Sequence, residues 1–174
     1  PVRLGDPRFG LVALNVALLA VVAPATSLRN GFAYDDRGII VENGRVHGLR
    51  PLWHYFEESY WPLKAGAALY RPLAILGYAV QWTLGGGSPV VFHLVNVLLA
   101  VACAVAAFWV AGFLVPIGAA FLAAALFAVH PVHVEAVANV VGQAELWAAL
   151  VVLVTFGLYA RDRREGALRR ETGL

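Results

Sequence analysis

Two adjacent carboxylates, Asp35 and Asp36, stand in the stretch Asn30-Gly31-Phe32-Ala33-Tyr34-Asp35-Asp36-Arg37, just beyond a long apolar run. At a membrane surface one carboxylate can take a proton from an acceptor hydroxyl while its neighbour raises its pKa or holds a cation. Asp and Gly are also ordinary turn residues, so a solvated turn is the competing reading. A second polar group follows at His130-Pro131-Val132-His133-Val134-Glu135, with Asn139, Gln143 and Glu145 behind it. Polar residues at the end of an apolar run are costly to hide in lipid and are functional candidates for that reason. If Pro131 starts a helix, Glu135, Asn139 and Gly142 share one face at i, i+4 and i+7. That face could point at the loop bearing Asp35 and Asp36.

His130, His133 and Glu135 are metal-capable, but their spacing is not the helical H-E-x-x-H pattern, so zinc is the weaker reading. Both histidines can instead cap the end of a span and bond to backbone carbonyls or lipid headgroups. Arg71, in Leu69-Tyr70-Arg71-Pro72-Leu73, can grip a phosphate bidentately, or it can simply snorkel. His93 and Asn96 are of the kind that packs helices together through polar contacts. The residues specify no cofactor and no metal site, and they leave a need for a divalent metal open.

The elements that must position these groups are apolar. Of the 174 residues 60% are hydrophobic and 14% charged, against roughly 25% charged in an average soluble domain. Between Arg71 and Arg161 there is no Lys or Arg, and the only acids are Glu135 and Glu145. Such a chain is an all-α integral membrane protein, because one small core cannot hide that much apolar surface. The expected spans are about 9–28, 92–113, 117–130 and 146–160. Pro24 kinks the first, Ser88-Pro89 opens the second, and His130-Pro131 closes the third. A cleaved signal peptide is the rival reading of the first run, since Ala23-Pro24-Ala25 resembles a small-residue cleavage site.

Arg3 and Arg8 before the first span, and Arg161, Arg163, Arg164, Arg169 and Arg170 after the last, put both chain ends in the cytoplasm by the positive-inside rule. Four spans satisfy that and five do not. The apolar run Pro72 to Leu84 is therefore no span; at about 1.5 Å per residue it falls short of a ~30 Å core. It is expected as an interfacial helix with Tyr78 and Trp82 at the headgroup level. Residues 29–89 and 131–145 become outer loops and 161–174 a cytoplasmic tail. The bilayer is the first partner. The 13 basic and 11 acidic residues are spread out or clustered at the ends, which argues against a nucleic-acid surface. The single cysteine, Cys103, excludes an internal disulfide. Pro rather than Met at position 1 and a charged last segment fit a piece of a longer polypeptide.

Four motifs in order, Tyr34-Asp35-Asp36, Tyr70-Arg71-Pro72-Leu73, the run Phe92 to Leu99 and the run Leu126 to Ala138, resemble the N-terminal part of the transmembrane and tetratricopeptide-repeat O-mannosyltransferase-like proteins. Those belong to the GT-C glycosyltransferases. The likeness covers about Asn30 to Ala149. It implies a multi-span enzyme that passes a sugar, mannose in this family, from a polyprenyl-phosphate donor to a protein or other acceptor on the extracytoplasmic face. The membrane implied is a bacterial-type inner membrane or the endoplasmic-reticulum equivalent.

Carried over, Asp35 or Asp36 would be the general base or acceptor-orienting acid and Glu135 its second-loop partner. Arg71 would contact the donor phosphate, and His130, His133 and Glu145 would line the substrate site. Two positions depart from the pattern: Gln143 stands where an arginine is expected, and Ala100 where a histidine often follows. Two other classes remain: a non-catalytic membrane anchor or assembly module, for which packing at Gly112 or Gly118 would matter, and a transporter with Glu135 and Glu145 on an ion path.

Overall fold

The computed structural model describes residues 7–62 and 69–172, with side chains through Gly166. Arg3 and the side chains of Arg169 and Arg170, three of the charges used for orientation, lie outside the described residues. Every regular element among the described residues is helical. Two compact units form: one from Pro1–Ala23, Leu98–His133 and Leu146–Leu174, the other from Pro24–Val97 and Val134–Glu145.

The first unit is a bundle of apolar helices. Helix α1 runs Pro7–Val22, shorter than the expected 9–28. Pro24 explains the early stop, because it lacks an N–H and disfavours helical geometry before it. The chain then turns through a 3₁₀ segment, Ala25–Arg29, in which the Ser27 hydroxyl donates to the Pro24 carbonyl at 2.7 Å. At 16 residues, α1 reaches only about 24 Å. Val16 and Ala20 of α1 pack with Ala104, Phe108, Ala120 and Ala124. Small residues let backbones approach closely where lipid offers no hydrophobic drive to association.

The later helices include α4 (Pro89–Leu114), α5 (Ile117–Val129) and α7 (Gln143–Thr172). Of these, α4 and the stretch Val140–Gly166 are long and apolar enough to cross a membrane. Taken with Pro131–Ala138, α5 makes a further candidate bent by 45°. The bend sits at His130, whose extended backbone (φ −68°, ψ 128°) is what a following proline favours. The expected tail does not begin a new element at residue 161, for α7 continues to Thr172 with an Arg161–Glu165 pair one turn apart at 2.8 Å.

The second unit gives the long loop a core of its own. Helix α3 (Pro72–Gly85) starts on Pro72 and ends at Gly86, whose φ of 58° is the left-handed stop that glycine tolerates. Its buried side Ala74, Ile75, Tyr78 and Ala79 meets Ile39, Ile40, Val46, Tyr55 and Tyr60 from the loop, Phe92 from α4, and Val140 and Val141. Each large apolar side chain so buried contributes roughly 1.5–3 kcal/mol. The loop contains a π turn at Arg37–Val41, a 3₁₀ turn at Gly44–Val46 and α2 (His54–Glu57).

Arg45 ties the loop shut. Its guanidinium donates to Asn43 Oδ1 (3.0 Å), Glu58 Oε2 (2.6 Å), the Ser59 carbonyl (2.9 Å) and the Tyr60 carbonyl (3.3 Å). Tyr78, expected to present its ring to headgroups, is instead enclosed. It is fully buried in protein, because the loop folds over α3 and its hydroxyl finds partners there. Trp82, half-buried, stacks on His47 with ring centroids 3.9 Å apart.

Candidate functional site

The acid pair sits on a strained turn. Tyr34 has φ 47°, the left-handed region that side chains avoid. The Asp36 N–H donates to the Ala33 carbonyl (3.0 Å) and the Arg37 N–H to that of Tyr34 (3.2 Å). As a result the two aspartates part company. Asp36 is fully buried, with Oδ2 accepting the Ala33 N–H at 3.1 Å and Oδ1 the Val141 N–H at 2.9 Å, far along the chain. Asp35 is exposed and has no side-chain partner among the described residues. Burial pushes the Asp36 carboxyl above the ordinary carboxylate range. The N–H groups of Ala33, Val141 and Val140 pull the other way. His93 is itself fully buried, and neither ring nitrogen finds a partner among the described residues.

A polar relay leads from Asp36 to Arg71. The Val141 carbonyl accepts from the Tyr78 hydroxyl at 3.2 Å, that hydroxyl meets the Tyr60 hydroxyl at 3.4 Å, and the Arg71 guanidinium lies 5.4 Å from the Tyr60 ring centroid. Burial raises both phenols, and Arg71 opposes the rise at Tyr60. Arg71 is half-buried and precedes α3, its backbone carbonyl accepting from Ala74 and Ile75 while its side chain makes no capping bond. It thus has its back against an aromatic face and part of its surface free, the setting in which a guanidinium can still bind an anion.

The other candidates are less engaged. Glu135 and Glu145 belong to the same unit, are exposed, and have no side-chain bond to the pair. His130 and His133 belong to the other unit. His130 Nδ1 accepts the Val132 N–H at 3.2 Å, and the half-buried His133 ring lies 4.4 Å from that of Phe127. Among the described residues no three His, Cys, Asp or Glu side chains converge to hold a metal.

The expected helical face of Glu135, Asn139 and Gly142 does not form. Helix α6 (Val134–Ala138) stops at Asn139, whose backbone is extended (φ −94°, ψ 125°), and a 3₁₀ turn, Val140–Gly142, follows. The break has a cause, since Asn96 Nδ2 captures the carbonyls of Val137, Asn139 and Val140. Tyr60, Tyr78 and Gln81 escaped the sequence reading as site residues. Gln81 carried a usable signal, as a lone amide in the apolar run 72–82. An open cleft of about 760 Å³ on the same unit is lined by Glu42, Arg45, Arg50 and Glu58 and does not include the aspartates.

Comparison with known proteins decides the family. The chain is 41% identical over 160 residues to the protein O-mannosyl-transferase Tmtc1 of Drosophila melanogaster, a match covering 89% of this chain and 18% of that protein. It is 37% identical over 171 residues to TMTC1 of Mus musculus (92% and 18%) and 36% over 173 residues to TMTC4 of Homo sapiens (87% and 23%). The chain is a TMTC O-mannosyltransferase-like protein. It spans about a fifth of the length of these relatives. No protein-family model and no solved structure matches it.

Three TMTC-like motifs thereby acquire places. Tyr34-Asp35-Asp36 is the strained turn, Tyr70-Arg71-Pro72-Leu73 the start of α3, and Phe92 to Leu99 the α4 face whose Phe92, His93 and Asn96 are buried. Gln143, at the position where the resemblance led an arginine to be expected, is buried among side-chain amides.

Proposed function

We propose that this chain supplies the acceptor-side acid and a donor-phosphate contact of a membrane O-mannosyltransferase of the GT-C type, which moves mannose from a polyprenyl-phosphate donor to a protein hydroxyl on the extracytoplasmic face. The observation that carries this reading is the division of labour in the acid pair: Asp36 is buried and bonded to backbone, and Asp35 is exposed and, among the described residues, without a side-chain bond.

Asp35 is the general base. Its carboxylate takes the proton of the acceptor hydroxyl as that oxygen bonds to the anomeric carbon. The bond from that carbon to phosphate oxygen breaks, and the polyprenyl phosphate leaves with the electron pair. Arg71 donates to the departing phosphate, where negative charge develops. Asp36 anchors the turn and takes no proton from substrate. Glu135 and Glu145, of the same unit, serve as outer contacts for substrate. In the proposed topology α1, α4, the bent pair and α7 make four spans with both ends cytoplasmic, and the membrane is that of the endoplasmic reticulum or its bacterial counterpart.

The test uses the full-length protein with a polyprenyl-phosphate donor carrying radiolabelled mannose and a threonine-bearing peptide. Asp35→Asn should abolish transfer while leaving the protein folded, and Arg71→Ala should weaken use of the donor. Undiminished transfer by Asp35→Asn sinks the assignment.

A further inference from the structure

The Val141 N–H that holds Asp36 lies in a turn gripped on both sides by side-chain amides. On the N-terminal side, Asn96 Nδ2 donates to the carbonyls of Val137 (3.2 Å), Asn139 (2.9 Å) and Val140 (3.4 Å). On the C-terminal side, Gln143 Nε2 donates to Asn96 Oδ1 (2.9 Å) and Gln81 Oε1 (3.1 Å). Gln81 Nε2 returns a bond to Gln143 Oε1 (2.7 Å) and another to the Gly77 carbonyl (2.9 Å). Gln81 and Gln143 therefore form a closed two-bond pair. All of these side chains are buried, Asn96 at 0%, Gln143 at 1% and Gln81 at 7% exposure.

The direction of these bonds is fixed. Because Gln143 presents its NH₂ to Asn96 Oδ1, Asn96 must turn its own NH₂ to the carbonyls of 137–140. Inverting either amide would set donor against donor or acceptor against acceptor in a dry site, where an unmade bond is costly. From this geometry we infer that the Gln81–Gln143–Asn96 network is a positioning device for the acid pair: it seats the Val141 N–H on Asp36 and thereby aims Asp35. The inference rests on the reading of Asp35 as the base. Gln143, Gln81 and Asn96 are positioning residues and touch no substrate.

The probe is Gln143→Glu, which keeps shape but sets a carboxylate oxygen against Asn96 Oδ1 and Gln81 Oε1. It is measured in the full-length protein, alone and combined with Asp36→Ala, using the same donor and peptide. Amide hydrogen exchange is followed over residues 137–143.

The expected result is faster exchange over that segment and a kcat lowered roughly 10–100-fold, the scale of a misplacement near 1 Å, with KM for the donor little changed. In the Asp36→Ala background, which removes the acceptor of the Val141 N–H, the same substitution should cost no more than about twofold, because both changes break one linkage. Gln143→Met, of similar length without the amide, serves if the charged variant does not accumulate, and the same non-additivity is expected. Additive losses, or unaltered exchange and kcat, overturn the inference. Transfer surviving in Asp35→Asn instead overturns the reading beneath it, and the inference with it.

Discussion

Replacing each aspartate by alanine separates two neighbours that composition treats as alike. Asp36→Ala leaves the Val141 N–H, a fully buried donor, and the part-buried Ala33 N–H without their acceptor. A buried donor left unmade costs about 1–3 kcal/mol, and the Ala33 donor, partly wetted, sits near the lower end at about 1. The sum is roughly 2–4 kcal/mol, trimmed by release from the burial that raises this carboxyl. For a domain of this length that is about 4–16 °C in Tm. Asp35→Ala removes an exposed side chain without partners among the described residues, so its effect should stay within about 0.5 kcal/mol. Asp36→Asn should fall between, since its oxygen can still accept from Val141 while its NH₂ faces the Ala33 N–H. Cys103 is the only cysteine and is 1% exposed, so a thiol-reactive fluorophore reports unfolding in detergent directly. Equal Tm shifts for the two alanine variants would refute the division between anchor and free acid.

Three further outcomes are expected. Asp36 has a raised folded pKa, so the folded state keeps a proton that the unfolded chain has released. Stability should then decline as pH climbs from the ordinary carboxylate value of 3.8 to the raised value, and Asp36→Asn should lack that slope in pH-dependent melts. Tyr78→Phe orphans the Val141 carbonyl and takes a partner from Tyr60, which should cost about 1–2 kcal/mol by thermal unfolding. A Cβ at Gly157 would collide with the Trp109 ring, whereas one at Gly118 meets open space. Gly157→Ala should therefore destabilise by about 1–3 kcal/mol and Gly118→Ala should not, as read by the same melts.

What the sequence made legible follows from the physics of each signal. Length and apolarity place α4, and the His130-Pro131 dipeptide ends α5 at Val129 as expected, because those cues are local. The position of α1's end was less plain, since hydropathy runs past Pro24 while helical backbone does not. Asp35 and Asp36 stood out as an acid pair, but nothing local says which one is buried. That depends on a hydrogen bond from Val141, 105 positions away. Tyr78 shows the same limit, because an aromatic on a short apolar helix is equally suited to a headgroup layer or to a folded loop. Helical periodicity after Pro131 could not foresee that Asn96, on another helix, draws off the carbonyls of 137–140.

Tyr34 is the only non-glycine residue with a positive φ among the described residues, and it is 90% exposed. A side chain held in that region costs on the order of 1 kcal/mol. Selection for thermal tolerance would therefore favour Tyr34→Gly early, since glycine relaxes the backbone and no packing is lost. Yet glycine also frees the turn in which Asp35 and Asp36 face opposite ways. On the proposed reading of Asp35 as the base, a hardier variant obtained by this route should be a poorer catalyst, which makes position 34 a place where robustness and activity trade against each other.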